Sequence, residues 1–366
     1  MAATTSRFPL LSWTTIAPAL GVLLLAVTWG RDLGPVFVVL IAVVLAVTVL
    51  AAVHHAEVVA LRVGEPFGSL VLAVAVTVIE VALIVTLMVS GGPEAASLAR
   101  DTVFAAVMIT TNGIVGIALL LGALKHGTTL FNAEGSGGAL ATVIALAALT
   151  LVLPTFTTTT PGPEFSSPQL AFAALASLAL WGMFVFTQTV RHRDFFLPVD
   201  ADGVIEADEH AEAPSGKAAL MSLFLLLVAL VAVVGLAKIE SPAIEAGVRA
   251  VGFPQSFVGV VIALLVLLPE TIAAARAALR DRIQTSLNLG YGSAIASIGL
   301  TIPTIALATV WLDGPLLLGL GSTQMILLLL TVLVSVLTVV PGRATRLQGG
   351  VHLVLLAAFL FLAVNP

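Results

Sequence analysis

Eleven apolar runs, separated by polar stretches, constrain the fold of this chain more than any other feature of its sequence. Most of them are long enough to cross the roughly 30 Å of hydrocarbon in a bilayer. The runs are Leu10–Thr28, Pro35–Val53, Gly68–Gly91, Thr102–Leu124, Gly138–Pro154, Leu170–Val190, Ala218–Ala237, Phe257–Ala275, Ile283–Trp311, Met325–Val340 and Val351–Ala363. Only 10% of the residues are charged, whereas a soluble domain carries about 25%. The sequence therefore predicts an all-α polytopic membrane protein with about eleven transmembrane helices.

The basic residues between the runs indicate how the chain is oriented. Of the 15 Lys and Arg residues, 11 fall on the side of the N-terminus and 4 fall on the opposite side. The positive-inside rule then puts the N-terminus in the cytoplasm and the C-terminus outside. Arg7 precedes the first run without a small-residue cleavage pattern, so this run is interpreted as a retained span. We expect a multi-pass protein of a bacterial inner membrane.

A hydrophilic stretch, Arg191–Lys217, divides the chain into two parts. We expect a first transmembrane helix at 1–33, a five-helix repeat at 34–190, an acidic cytoplasmic linker at 191–217, and a second five-helix repeat at 218–366. Because each repeat has an odd number of spans, the second enters the membrane from the opposite side, which is the arrangement of an inverted repeat.

The acidic core of this linker, Asp200–Glu212, carries six carboxylates in thirteen residues. It is interpreted as a solvated linker, with a cytoplasmic calcium-sensing segment as the alternative. It is not an EF-hand, because Gly203 follows the first aspartate at the fourth position instead of the sixth.

Two glutamates lie in the middle of apolar runs, one in each repeat. Glu80 lies within Gly68–Gly91, and Glu270 lies within Phe257–Ala275. All other acids fall at or between the ends of runs, and histidines are expected outside the spans, with His352 at a span's edge. An isolated charge in hydrocarbon is costly, so such residues usually face a partner, a cavity or a transported ion. The two glutamates predict a cation site within the membrane.

Further oxygen groups accompany the two glutamates. Thr77 precedes Glu80 by three residues and shares its helix face. Pro269 has no N–H, so the carbonyl of Leu265 loses its helical partner and becomes available to a cation. Pro303 is expected to break the ninth span. The residues that we expect to line the site are Thr77, Thr110, Thr111, Asn112, Leu265, Pro269, Ser293 and Ser297.

This donor set indicates the transported ion. Carboxylate, hydroxyl, amide and carbonyl oxygens are the ligands that Ca²⁺ takes, whereas the absence of cysteine disfavours softer metals. Two carboxylates in one site repel each other when both are ionised, and either a divalent cation or protons remove that repulsion. Competition between the two predicts a secondary antiporter that exports Ca²⁺ in exchange for H⁺ by alternating access, without a cofactor. Its surroundings are a lipid bilayer, and no nucleic acid is expected as a partner.

Each of these residues also has a purely structural interpretation. The glutamates could join helices by hydrogen bonds, and Pro269 could simply kink its helix. The threonines could bond to the backbone of their own helix, and Asn112 could make an interhelical hydrogen bond. Ser293 and Ser297 could serve only as small packing residues.

Three stretches resemble the bacterial ChaA-type calcium/proton antiporters, in the CAX branch of the cation/Ca²⁺ exchanger superfamily. They are Gly64–Ser69 continuing to Ile79–Leu83, Leu267–Glu270, and Asn288–Pro303. The resemblance covers nearly the whole chain. It implies that Glu80 and Glu270, one from each repeat, bind the ion and exchange it for protons.

This chain departs from the family's motif in one respect. The motif places Gly-Asn shortly before each glutamate, where this chain reads Val76-Thr77 and Val266-Leu267. Ser293 and Ser297 match the family's ligand-bearing helix. Because ChaA-like members are also associated with Na⁺ or K⁺ exchange, a Na⁺ or K⁺/proton antiporter using the same glutamates is an alternative.

Two other functional classes differ from an antiporter in features that the sequence can address. A cation channel would conduct without any dependence on a proton gradient. An intramembrane enzyme is disfavoured, because His54-His55-Ala-Glu57 does not supply the His-Glu-x-x-His of a metalloprotease. The runs contain no aspartate pair of an aspartyl protease, and His352, the nearest candidate for the embedded histidine of a serine protease, sits at a span's edge.

Overall fold

The structure is a computed structural model that describes residues 12–31, 33–64, 67–91, 95–199, 213–311 and 314–366. In these residues the chain is predominantly helical. Its helices are α1 (Trp13–Thr28), α2 (Pro35–Val63), α3 (Phe67–Gly91), α4 (Leu98–Met108), α5 (Val115–His126), α6 (Ala133–Ala147), α7 (Ser167–Phe186), α8 (Gly216–Ala250), α9 (Phe257–Ala278), α10 (Ile283–Ala308), α11 (Ser322–Val339) and α12 (Arg346–Val364). Two short strands, β1 (Thr129–Leu130) and β2 (Arg343–Ala344), pair antiparallel. Arg7 and the acidic stretch Asp200–Glu212 lie outside the described residues.

The helices account for the predicted number of spans. In the described part of the chain, nine helical segments are long and apolar enough to cross a membrane, and two shorter apolar helices lie at Trp13–Thr28 and Ala73–Val89. One of the nine, Leu98–His126, consists of α4 and α5 joined by a π-helical turn at Ile109–Ile114. The predicted all-α polytopic membrane fold is confirmed.

Two helices run well beyond the apolar runs that predicted them. The run at Pro35–Val53 belongs to α2, which continues to Val63 and stops at Gly64, where φ is +74° and the α-helix cannot continue. The run at Ala218–Ala237 belongs to α8, which continues to Ala250. A helix ends where its backbone is interrupted or capped and not where its apolar residues end, so polar residues at these ends are helical.

The expectation that Pro303 breaks the ninth span is wrong. Helix α10 continues through Pro303 to Ala308. A proline removes one backbone hydrogen bond, and packing of α10 against α6, α7 and α9 holds the helix together across it.

The chain forms two compact units. The smaller unit contains α1, α2, the first part of α3 and α8 as far as Ala243. Its helices approach closely at Gly21, where an added Cβ would lie 3.0 Å from both Ala232 and Thr48. His55 ties the same helices together, because it bonds to Ser222 of α8 and to the carbonyl of Thr14 in α1.

The larger unit begins at Glu80 and contains the rest of α3, α4 to α7, the end of α8, and α9 to α12. Helix α10 is central to it, because it packs against α4, α5, α6, α7, α9 and the π-helical turn. Helix α12 packs along α5, where Gly116 and Gly349 remove the side chains that would keep the two helices apart.

In the larger unit, loops that are expected on the same side of the membrane contact one another. This expectation comes from counting the spans along the chain. Strand β1 follows α5, and its partner β2 follows α11. At the other end, the amide of Leu317 donates to the carbonyl of Ala96, and the amide of Gly319 donates to that of Pro163. These pairings agree with a chain that crosses the membrane once between each successive pair of loops.

This topology predicts that cysteines at Thr128 and Thr158 react from opposite sides of the membrane. Both residues are exposed, and they lie in loops separated by the single span that contains α6. Each variant would be labelled in sealed vesicles with a thiol reagent that cannot cross the bilayer. The parent chain has no cysteine and serves as an unlabelled control. Labelling of both variants from the same side would contradict the assignment.

Candidate cation site

The carboxylate of Glu80 makes a direct contact with a second helix. Glu80 is 4% exposed on α3, and its Oε1 accepts a hydrogen bond of 2.5 Å from the hydroxyl of Ser297 on α10. The hydroxyl of Thr301 lies near the same carboxylate but makes no hydrogen bond within the described residues. Because Ser297 and Thr301 are four residues apart on α10, both belong to one helix face.

The sequence of α10 explains this hydroxyl face. Ser293, Ser297 and Thr301 recur every four residues, so they form a stripe along one side of the helix. Ser293 is partly buried one turn before Ser297, and Thr301 is completely buried. Ser293 and Ser297 were predicted from the sequence, whereas Thr301 was missed, although the four-residue spacing is a signal that could have found it.

Glu270 lies on α9, the helix that packs along α10. It is 8% exposed. Helix α9 passes through Pro269 without interruption, and the carbonyl of Leu265 has no amide partner there because proline carries no N–H. Both Leu265 and Pro269 are partly buried. The two predicted glutamates are therefore carried by different helices, of which one bonds to α10 and the other packs against it.

The remaining predicted residue of α3 is Thr77. It is buried and lies one turn before Glu80 on the same helix.

The polar residues Thr110 and Thr111 lie in the π-helical turn. The hydroxyl of Thr110 donates to the carbonyl of Ala106, and that of Thr111 donates to the carbonyl of Val107. Both hydroxyls bond to the backbone of their own helix, which is the structural interpretation of these residues. The turn packs against both α9 and α10, so its backbone adjoins the helices that carry Glu270 and Ser297.

The side chain of Asn112 contacts two other helices. Its amide nitrogen donates to the hydroxyl of Thr331 on α11 at 2.9 Å, and its carbonyl oxygen lies 3.1 Å from Nδ1 of His352 on α12. The structure thus gives Asn112 the interhelical hydrogen bonds of its structural interpretation.

Histidines were expected outside the spans, and that expectation is wrong. His55 and His352 are both completely buried. His55 lies inside α2 because that helix extends to Val63. His352 lies in the second turn of α12, because α12 begins at Arg346 with its N-terminus capped by the side chain of Thr345.

Every other acid was expected at or between the ends of the apolar runs, and one acid in such a position is nevertheless buried within a helix. Glu240 lies within α8 and is 4% exposed. The apolar run ends at Ala237, but α8 continues to Ala250 and buries this carboxylate in the smaller unit.

The geometry defines what the site can do chemically. A carboxylate that is removed from water, with hydroxyls facing it, binds either a proton or a cation more readily than it remains a bare charge. Hard oxygen atoms are the only side-chain donors that Glu80, Ser297 and Thr301 supply, and these suit alkali and alkaline-earth cations.

Comparison with protein families places these features in a known group. The family described as sodium/calcium exchanger protein matches residues 33–190 and 221–365 of the chain. Together the two stretches include all the residues of the candidate site.

Two relatives cover most of the chain. The y4hA protein of Sinorhizobium fredii (strain NBRC 101917 / NGR234), named as a candidate ionic transporter, is 45% identical over 99% of this chain and 98% of its own length. The sodium-potassium/proton antiporter ChaA of Escherichia coli (strain K12) is 35% identical over 85% of this chain and 84% of its own length.

Solved structures share the fold. The structure of native YfkE has a TM-score of 0.70 at 15% identity and covers 97% of this chain and 99% of its own. The crystal structure of the H⁺/Ca²⁺ exchanger CAX has a TM-score of 0.69 at 15% identity and covers 95% of this chain and 86% of its own.

The Glu80–Ser297 contact predicts a difference between two neighbouring serines. Replacing Ser297 with alanine removes the donor to a buried carboxylate and should lower the stability of the purified protein by about 1 kcal/mol. Ser293→Ala is the matched control, because Ser293 lies one turn earlier on the same helix face. The Tm of each variant in detergent would be compared with that of the parent. Equal losses in the two variants would argue against the contact.

Proposed function

Because the chain belongs to the sodium/calcium exchanger protein family and is a cation antiporter, we propose that it exports cytoplasmic Ca²⁺ in exchange for H⁺. The family consists of transporters and not of enzymes. The proposed site comprises Glu80 and Glu270 as the ion- and proton-binding carboxylates, with α10 supplying hydroxyls through Ser297.

One observation carries this proposal: the buried carboxylate of Glu80 is bonded to a hydroxyl of α10, and α10 packs against the helix of Glu270. An arrangement that brings both acids to one helix would give a divalent cation two compensating negative charges. The same two carboxylates would take up protons once the cation leaves. A single site would then hold either the cation or the protons, and exchange follows when it faces the two sides of the membrane in turn.

The proposed topology follows from the number of predicted spans in each half of the chain. We propose a first transmembrane helix followed by two inverted five-helix repeats, at 34–190 and 218–366, in a bacterial inner membrane. The N-terminus would be cytoplasmic and the C-terminus outside. In support, the two stretches that match the family, 33–190 and 221–365, nearly coincide with the two repeats.

A second candidate is a Na⁺ or K⁺/proton antiporter that uses the same glutamates. The observation that favours it is the 35% identity to a protein named as a sodium-potassium/proton antiporter. This chain also lacks the asparagine that the family's motif places shortly before each glutamate. The absence of these side-chain amides fits a site with fewer strong ligands for Ca²⁺. The divalent charge of Ca²⁺, which matches two carboxylates, keeps Ca²⁺/H⁺ exchange as the first proposal.

The choice between these cations is testable in everted vesicles with a preset pH gradient. Ca²⁺ should dissipate the gradient at lower concentrations than Na⁺ or K⁺, because only a divalent ion balances both carboxylates. Acidification on the cation-binding side should weaken the response, because protons occupy the same oxygens. A stronger response to Na⁺ or K⁺ would favour the second candidate. Cation flux that persists without a proton gradient and moves no protons would indicate a channel.

The two carboxylates are predicted to be individually essential. Glu80→Gln or Glu270→Gln should each reduce exchange to the background of empty vesicles, because one remaining carboxylate can neither balance the cation nor carry the full proton load. Glu134→Gln, which changes an exposed carboxylate at the start of α6, should retain exchange. Expression and Tm would be measured in parallel. Near-normal exchange in either buried variant would contradict the shared site.

A further inference from the structure

His352 is completely buried in α12 and bonds to polar groups on two other helices. Its Nδ1 lies 3.1 Å from the side-chain carbonyl oxygen of Asn112 in the π-helical turn, and its Nε2 lies 3.1 Å from the hydroxyl of Thr338 on α11. The imidazole therefore bridges α11 and the π-helical turn from a position on α12.

The hydrogen bonds around Asn112 fix the role of each ring nitrogen. The amide nitrogen of Asn112 donates to the hydroxyl of Thr331, so its carbonyl oxygen accepts. Nδ1 of His352 must then carry the proton and donate to Asn112, and Nε2 must accept from the hydroxyl of Thr338. The imidazole is neutral in this arrangement, and both of its nitrogens are bonded.

Helix α11 presents a polar face to this histidine. Thr331, Ser335 and Thr338 follow one another at spacings of four and three residues, so they lie on one side of α11, and all three are buried. Thr331 and Thr338 bond to Asn112 and His352. Within the described residues the hydroxyl of Ser335 has no hydrogen-bond partner, so it shares the environment of the network without belonging to it.

The π-helical turn that Asn112 anchors lies directly against α10. An added Cβ at Gly290 of α10 would lie 3.2 Å from the side chain of Val115 and 3.3 Å from the carbonyl oxygen of Thr110, so the turn and α10 are in close contact at this point. Gly290 precedes Ser293 by one turn and Ser297 by two. A shift of the turn would therefore act directly on α10, the helix that holds the hydroxyls of the candidate site.

A π-helical turn is an irregular conformation that needs support from its surroundings. Asn112 supplies that support through two side-chain hydrogen bonds to other helices. If His352 no longer donated, the carbonyl oxygen of Asn112 would be buried without a partner. The turn could then satisfy it only by rotating Asn112 or by rearranging its backbone against α10.

We propose that His352 is a positioning residue for the cation site: by holding Asn112, it fixes the π-helical turn against α10. This inference rests on the proposed cation/proton exchange and adds to it a residue that does not touch the ion. It assigns Asn112 to the support of the site, so that the amide is not counted among the ligands.

The experiment separates the two nitrogens of the ring. In His352→Asn the amide nitrogen takes the place of Nδ1 and can still donate to Asn112. In His352→Gln the amide lies near the place of Nε2 and can reach only Thr338. His352→Leu removes both contacts. Ser335→Ala is the matched control, because it changes a buried hydroxyl of the same face that takes no part in the network.

Exchange would be measured in vesicles as a function of the concentration of whichever cation the parent transports. His352→Leu and His352→Gln should raise the half-saturating cation concentration about tenfold, as expected for loss of one buried hydrogen bond, with the maximal rate little changed. His352→Asn and Ser335→Ala should stay close to the parent.

Unchanged half-saturation in His352→Leu would overturn the proposal. So would a lower maximal rate at unchanged half-saturation in all three histidine variants, because that pattern reports only less folded protein. Failure of His352→Asn to restore half-saturation, while its Tm equals that of the parent, would also overturn it. The proposed function fails separately, if the parent exchanges no cation for protons or if Glu80→Gln and Glu270→Gln leave exchange intact.

Discussion

A carboxylate held inside a membrane is the constraint on which the rest of this structure depends. Glu80 is removed from water on α3, and the hydroxyl of Ser297 on α10 is its direct partner. Hydrocarbon supplies no hydrogen-bond donor to such a group, so its polar partners must come from other helices. The hydroxyl stripe of α10 meets that requirement at Ser297.

Helix α10 connects the chemistry of the site to the packing of the larger unit. It bonds to Glu80, packs against the helix of Glu270, and contacts the π-helical turn at Gly290. At Gly299 an added Cβ would lie 2.8 Å from Trp181 of α7, so α10 is also tightly packed against α7. In the proposed function, an ion that changes the bonding of Glu80 would therefore act on a helix with little freedom to move alone.

The sequence predicted the parts of this account that depend on composition and local spacing. Isolated acids in apolar runs predict Glu80 and Glu270 as carboxylates buried in helices, and the runs themselves predict the helices. It did not predict the partner of Asn112, because His352 lies 240 residues away. It also did not predict that Glu240 is buried, because α8 continues beyond the apolar run from which this helix was predicted. The length of an apolar run is a poor guide to where a helix ends.

The most direct test of the central claim is proton release on cation binding. Purified protein in a weakly buffered detergent solution would be titrated with Ca²⁺, Na⁺ and K⁺ while the pH is recorded. Competition for the same carboxylates predicts that the transported cation releases protons in proportion to the ion bound, and that Glu80→Gln and Glu270→Gln each reduce the release. Saturable cation binding without any proton release would contradict the account.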